Sequence, residues 1–202
     1  MIGFIGIGNM GLAMALRLRD AGHAVRVRDI DADRVAQALA AGATAAETPA
    51  ALAGCGLVIV AVVTAAQTRE VLFGPDGLAA ALPAGGCVML CPTIAPADAE
   101  ACAARLAERG IGCIDAPMSG GPERARDGTM SLMVACSTAL FERWQPLLQT
   151  LASRLSASAN GWATVPAPSS STTCSPPSTW PVLPKCWRWR SVWGSMRRRR
   201  WR

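Results

Sequence analysis

The stretch from Ile2 to Leu16 limits the fold of this chain more than any other. It reads Ile-Gly-Phe-Ile-Gly-Ile-Gly-Asn-Met-Gly-Leu-Ala-Met-Ala-Leu. Ile2, Phe4, Ile5 and Ile7 form a short apolar run, suited to a strand buried on both faces. Gly6, Gly8 and Gly11 follow with the spacing G-x-G-x-x-G, and Met10, Met14, Leu16 and Leu18 recur at helical intervals. The pattern predicts a strand, a tight glycine turn and a helix. Gly6 makes the turn, Gly8 lets a pyrophosphate approach the backbone, and Gly11 lets the helix pack close to the strand. The unpaired N–H groups and the positive dipole end of the helix then face the phosphates.

The glycine spacing alone is weak evidence; an acid after the next strand makes it strong. The next strand is expected at Ala24 to Arg28, and Asp29 ends it, 18 positions after Gly11. A carboxylate there accepts hydrogen bonds from the adenosine ribose hydroxyls and repels a 2′-phosphate. Asp29 therefore points to NAD over NADP, while Arg28 beside it offers a partner to that phosphate. The alternative role for Asp29 is to cap the following helix, expected at Asp31 to Ala41.

Helix and strand then alternate. A short helix is expected at Thr48 to Ala53, a buried strand at Leu57 to Val63, and a helix at Gln67 to Phe73 ended by Gly74-Pro75. A strand at Cys87 to Leu90, a helix at Pro96 to Arg109 and a strand at Gly112 to Asp115 continue the rhythm. A strand at Ser131 to Ala135 and an amphipathic helix at Ala139 to Leu151 complete it. The expected fold is α/β, a doubly wound and mostly parallel Rossmann sheet. Ligands of such sheets lie at the carboxyl ends of the strands, where Thr64, Thr93 and Ser119 fall. Asp115-Ala-Pro-Met-Ser119-Gly120-Gly121-Pro122 is a second informative segment. Its glycines and the Ser119 hydroxyl offer several donors with little bulk, which suits a carboxylate. The alternative is a structural turn that binds nothing.

Bulk properties exclude other classes. No apolar run is long enough for a membrane span, and with a strand expected to begin at Ile2 no signal peptide is expected. The eight cysteines lack C-x-x-C spacing, so they read as reduced core residues of a cytoplasmic protein, with no metal site or disulfide frame. The net charge of +6 belongs to the end of the chain: residues 1–155 carry 12 basic and 14 acidic groups, and residues 156–202 carry eight basic groups and no acid.

Three segments bear a resemblance to a known family: Gly-Phe-Ile-Gly-Ile-Gly-Asn-Met-Gly, Asp-Ala-Pro-Met-Ser-Gly-Gly and Gly-Thr-Met-Ser-Leu-Met-Val. Residues 1 to about 155 resemble the β-hydroxyacid dehydrogenases, the group holding 3-hydroxyisobutyrate dehydrogenase and tartronate semialdehyde reductase. The segments Ala65 to Gly77 and Val88 to Ile94 look closest to the L-threonate dehydrogenase branch. The resemblance implies hydride transfer between NAD(P) and a small hydroxy acid of the 3-hydroxyisobutyrate or L-threonate type. It implies cofactor contacts at Gly6, Ile7, Gly8, Asn9, Met10, Gly11, Asp29, Val62, Val63 and Thr93, with Thr93 near the nicotinamide. Ser119, Gly120 and Gly121 would hold the substrate carboxylate. It also implies a second, helical domain that closes the site and builds a dimer. That domain opens with Lys-x-x-Asn-Asn, whose lysine moves the proton at the substrate oxygen.

The sequence departs from that pattern at its end. Its only lysine is Lys185, without the Asn-Asn partner. Residues 156–202 hold six of the seven tryptophans and six of the fourteen prolines. They are expected to form an irregular basic tail in place of the helical domain, beyond a nucleotide-binding domain at 1–155. A shift of reading frame near residues 156 to 161 would explain the tail. In the shifted frame Pro168 to Thr173 can give Ala-Lys-Leu-Val-Asn-Asn, which requires among other bases a Pro168 codon ending in A and a Ser169 codon beginning AG. The expected activity of the chain as it stands is therefore impaired. Two other functions compete: a non-catalytic NAD-binding module, and an interaction protein using the Arg/Trp tail. Nucleic acid is not an expected partner, because no nucleic-acid-binding motif accompanies the charge.

Overall fold

The computed structural model describes residues 1–158. They form nine strands on one sheet and seven α-helices. The first half is a repeating strand–helix unit. It contains β1 (Ile2–Ile5), α1 (Asn9–Asp20), β2 (Val25–Arg28), α2 (Ala32–Ala40), β3 (Thr44–Ala45) and β4 (Leu57–Val60). The rest is α3 (Ala65–Phe73), α4 (Leu78–Ala81), β5 (Cys87–Leu90), α5 (Pro96–Ala107), β6 (Gly112–Asp115), β7 (Met118–Ser119), α6 (Gly121–Asp127), β8 (Met130–Ala135), α7 (Thr138–Leu151) and β9 (Ala152–Ser158).

The spatial order is β3-β2-β1-β4-β5-β6-β8-β7, with β9 on β8. All pairs from β3 to β6 are parallel, β8 runs antiparallel to β6 and β7, and β9 runs parallel to β8. The central strands β1, β4 and β5 are buried along their whole length, because helices cover both sheet faces. One face packs Phe4, Ile59, Met89 and Ile114 against Met14, Leu18 and Leu148. The other packs Ile5, Val58, Val60 and Leu90 against Leu72, Leu78 and Leu106. Chain order reverses between β1 and β4, which opens a crevice at the carboxyl ends of these strands.

Several boundaries differ from expectation. The strand expected to reach Val63 ends at Val60. The Gln67 side chain accepts the Val63 and Thr64 N–H groups over 3.0 and 3.1 Å, so a capping box starts α3 and turns the backbone off the sheet. The helix expected at Thr48 to Ala53 is a 3-10 turn at Ala50–Leu52, with the Thr48 hydroxyl accepting from Ala51 N–H. Asp31 is the N-cap of α2, accepting from Asp33 and Arg34 N–H groups, so the helix proper starts at Ala32. Ser119 follows the carboxyl end of the parallel strand β6 by four residues and belongs to the short strand β7, opposite Ser131. The irregular tail expected from residue 156 is corrected at its start. Residues 156–158 continue β9, whose pairing with Met133 to Ala135 supplies the ladder that local composition does not. The remaining tail, with Lys185 and the reading-frame argument, lies outside the described residues.

Candidate functional site

The glycine turn is built as its spacing requires. Gly6 leaves β1 with φ +85°, a conformation costly for residues with a Cβ. A Cβ on Gly11 would lie 2.2 Å from the Gly6 carbonyl oxygen, so only glycine lets α1 pack this close to the strand. A Cβ on Gly8 would meet nothing within 4 Å, so the backbone there faces open space. Gly8 is also the N-cap of α1 and supplies no side-chain cap. Backbone donors and a positive dipole end thus front an open volume, which fits an anion. Ile7 is buried in the core while Asn9 is exposed and Met10 half-buried.

Asp29 stands next to this turn, at the end of β2. Its Oδ2 accepts the Ile7 N–H over 2.5 Å and its Oδ1 accepts the Asp31 N–H over 2.9 Å. The α2 cap is Asp31, so Asp29 does not cap that helix. Each Asp29 oxygen keeps a second lone pair for a ligand hydroxyl. Arg28 turns back on its own loop: its Nη1 donates to the Asp29 carbonyl, and its Nε is buried.

The other expected residues lie along the same edge. Val62 is half-buried and Val63 exposed in the loop after β4, and Thr93 is exposed after β5. Strands β2 and β5 are three sheet spacings apart, about 14 Å, so Asp29 and Thr93 bracket a length suited to an extended ligand. Sequence reasoning passed over Ile30. It is 91% exposed beside Asp29, and Val63 is 79% exposed on the other side of β1. The two residues flank the carboxyl end of β1. An apolar residue directly after the acid was the available signal.

The Ser119-Gly120-Gly121 segment joins β7 to α6. Gly120 and Gly121 have φ +132° and +81°, and a Cβ on Gly121 would meet nothing within 4 Å. Ser119 is half-buried. A groove of about 450 Å³ runs between α1 and α6, lined by Asn9, Leu12, Leu16, Pro122, Arg126 and others. Asn9 and Pro122 share it, so the glycine turn and the Ser-Gly-Gly segment open on one side of the molecule. Arg126 pairs with Asp20 over 2.5 Å and ties α6 to α1.

The thiols are no part of this chemistry. Among the described residues all six cysteines are free, and no group of side chains could hold a metal ion. Burial pushes the Cys87 thiol up to about 12, helped by neighbouring Cys136, and burial alone pushes Cys136 up to about 12. Cys91 and Cys113 are raised by burial and then by the Asp115 carboxylate. Such thiols stay protonated and unreactive.

The model of one protein family matches residues 1–161, and its description is the NAD binding domain of 6-phosphogluconate dehydrogenase. The chain belongs to this NAD-binding family. L-threonate dehydrogenase of Cupriavidus necator is 37% identical over 155 residues, which cover 76% of this chain and 52% of that protein. The crystal structure of 3-hydroxyisobutyrate dehydrogenase from Salmonella typhimurium is 37% identical with a TM-score of 0.72, covering 76% of this chain and 54% of that one. A structure of Psf3 in complex with NADP+ and 2-OPP has 30% identity and a TM-score of 0.76, covering 79% and 57%. The relatives are thus β-hydroxyacid dehydrogenases, and the chain spans about half the length of the curated relatives it matches. Among the described residues, no helix is long and apolar enough to cross a membrane.

Proposed function

We propose that this chain binds NAD at the β1–α1 turn and belongs to an oxidoreductase acting on a small hydroxy acid of the L-threonate or 3-hydroxyisobutyrate type. The observation that carries the proposal is the open backbone at Gly8 beside Asp29, whose carboxylate already holds the turn through Ile7. The α1 N-terminus would hold the diphosphate, and Asp29 would accept the adenosine ribose hydroxyls. Ile30 and Val63 would cover the adenine faces. Asp29 favours NAD over NADP by repelling a 2′-phosphate, although Psf3, a similar structure, holds NADP+. The bound nicotinamide supplies the site that gives or takes the hydride. Thr93 would lie beside it, and the Ser119 hydroxyl with the Gly120 and Gly121 N–H groups would grip the substrate carboxylate. Among the described residues the six cysteines are free thiols, which supports a reducing, cytoplasmic setting.

The proposal extends to a loss. A lysine at the substrate oxygen is worth about 10²–10⁴ in rate as a general acid or base, and this sequence has only Lys185, outside the family's Lys-x-x-Asn-Asn pattern. Residues 1–155 form the nucleotide-binding domain in this proposal, and a shifted reading frame replaces the helical domain and its dimer contacts. The purified 202-residue chain should bind NAD in calorimetry yet oxidise L-threonate and 3-hydroxyisobutyrate at close to the uncatalysed rate. Normal turnover would refute the impairment; no NAD binding would refute the site. The gene sequence tests the frame shift: a Pro168 codon not ending in A removes it.

A further inference from the structure

We propose that Arg34 is a further cofactor-binding residue, whose guanidinium, set against Asn9 at the start of α1, pairs with the diphosphate of a bound dinucleotide. The inference rests on the nucleotide site proposed above. Arg34 lies in the first turn of α2, and its Nη2 donates to Asn9 Oδ1 over 2.7 Å, across 25 residues of sequence. Asn9 is the first residue of α1 and follows Gly8, whose backbone faces open space. Helices α1 and α2 follow β1 and β2, which are neighbours in the sheet. The guanidinium therefore bridges two helix N-termini on the side where the phosphates would enter.

Charge balance gives the bridge its role. Asp29, Asp31 and Asp33 crowd this rim within five residues. A diphosphate adds two negative charges, and a helix end offers only about half a positive charge. Arg28 is committed elsewhere, with its Nη1 on the Asp29 carbonyl and its Nε buried. Arg34 is committed loosely: its Nε lies 3.9 Å from Asp31 Oδ2, and both side chains are partly exposed. Its planar fork of five donors keeps room for a phosphate oxygen after one bond to Asn9.

Calorimetry on the full chain with ADP-ribose, 2′-phospho-ADP-ribose and adenosine tests the proposal. Arg34→Gln should weaken ADP-ribose roughly five- to tenfold, leave adenosine unchanged and flatten the dependence of affinity on salt. Arg34→Lys should keep the salt dependence and recover part of the affinity. Equal loss for adenosine and ADP-ribose would make Arg34 a prop for α1 and overturn the proposal. A loss confined to the 2′-phosphorylated probe would also overturn it, placing the cation at the ribose. If the unaltered chain binds none of the three probes, the nucleotide site itself fails, a result that the variants do not produce.

Discussion

The main-chain N–H of Ile7 donates to Oδ2 of Asp29 across 2.5 Å, so the glycine turn and the acid of the neighbouring strand are one unit before any ligand arrives. Asp29→Ala removes both this anchor and the proposed ribose acceptor. We expect NAD affinity to fall about ten- to a hundredfold, the worth of one or two hydrogen bonds to a charged group. Asp29→Asn keeps an acceptor for Ile7 and removes the charge, so the ratio of NADP to NAD affinity should rise. Calorimetric titration with both nucleotides measures each change.

Two glycines of the same turn should separate folding from binding. Gly11→Ala places a Cβ 2.2 Å from the Gly6 carbonyl oxygen, a backbone atom that cannot move aside cheaply. The expected cost is about 2 kcal/mol or more in urea unfolding. Gly8→Ala meets nothing within 4 Å and keeps φ at −59°. Its stability should change by no more than about 0.5 kcal/mol, while NAD binding should be lost because the methyl group would occupy the proposed phosphate approach.

The Ser-Gly-Gly segment yields a graded pair. Gly121→Ala has space but must hold φ +81°, a cost of about 1–2 kcal/mol. Gly120→Ala must hold φ +132° and also meets Arg124 Cδ at 3.0 Å and the Met130 Cα at 3.3 Å. It should destabilise more than Gly121→Ala, and urea midpoints will rank the two.

The buried thiols set an alkaline limit. Burial raises Cys87 and Cys136 from an ordinary 9.0 to about 12. Above pH 9 the unfolded chain ionises these thiols and the folded chain does not. The unfolded state then binds fewer protons, and stability falls between about pH 9 and 12. Unfolding midpoints at rising pH measure the slope. Cys136→Ala should make it shallower, and no slope in this window would contradict the burial of these groups.

Much of the glycine-turn corner was legible in sequence because its parts are local: an apolar run, fixed glycine spacing and an acid after a strand. The strand centres at β1, β4, β5 and β6 were legible for the same reason. What escaped is non-local. β9 reads Ala-Ser-Arg-Leu-Ser-Ala-Ser, with no apolar run, and exists through its ladder on β8. The end of β4 at Val60 depends on Gln67 reaching back to the Val63 and Thr64 N–H groups. The Arg34–Asn9 bond joins two helices, and no periodicity announces it. Ile30 gave a faint signal, one apolar residue in a polar turn, whose exposure only the fold reveals.

Because β1 lies between β2 and β4, the pocket floor is not complete until the third of these strands has docked. No short peptide from the start of the chain can carry the binding activity, since Asp29 and the wall beyond β4 come from later units. A dinucleotide would then act as a template for assembly, favouring only chains that have closed all three. At a hundred times its dissociation constant it would add about 2.7 kcal/mol to the folded state, and slowed amide exchange should extend through β2 and β4 as well as the glycine turn.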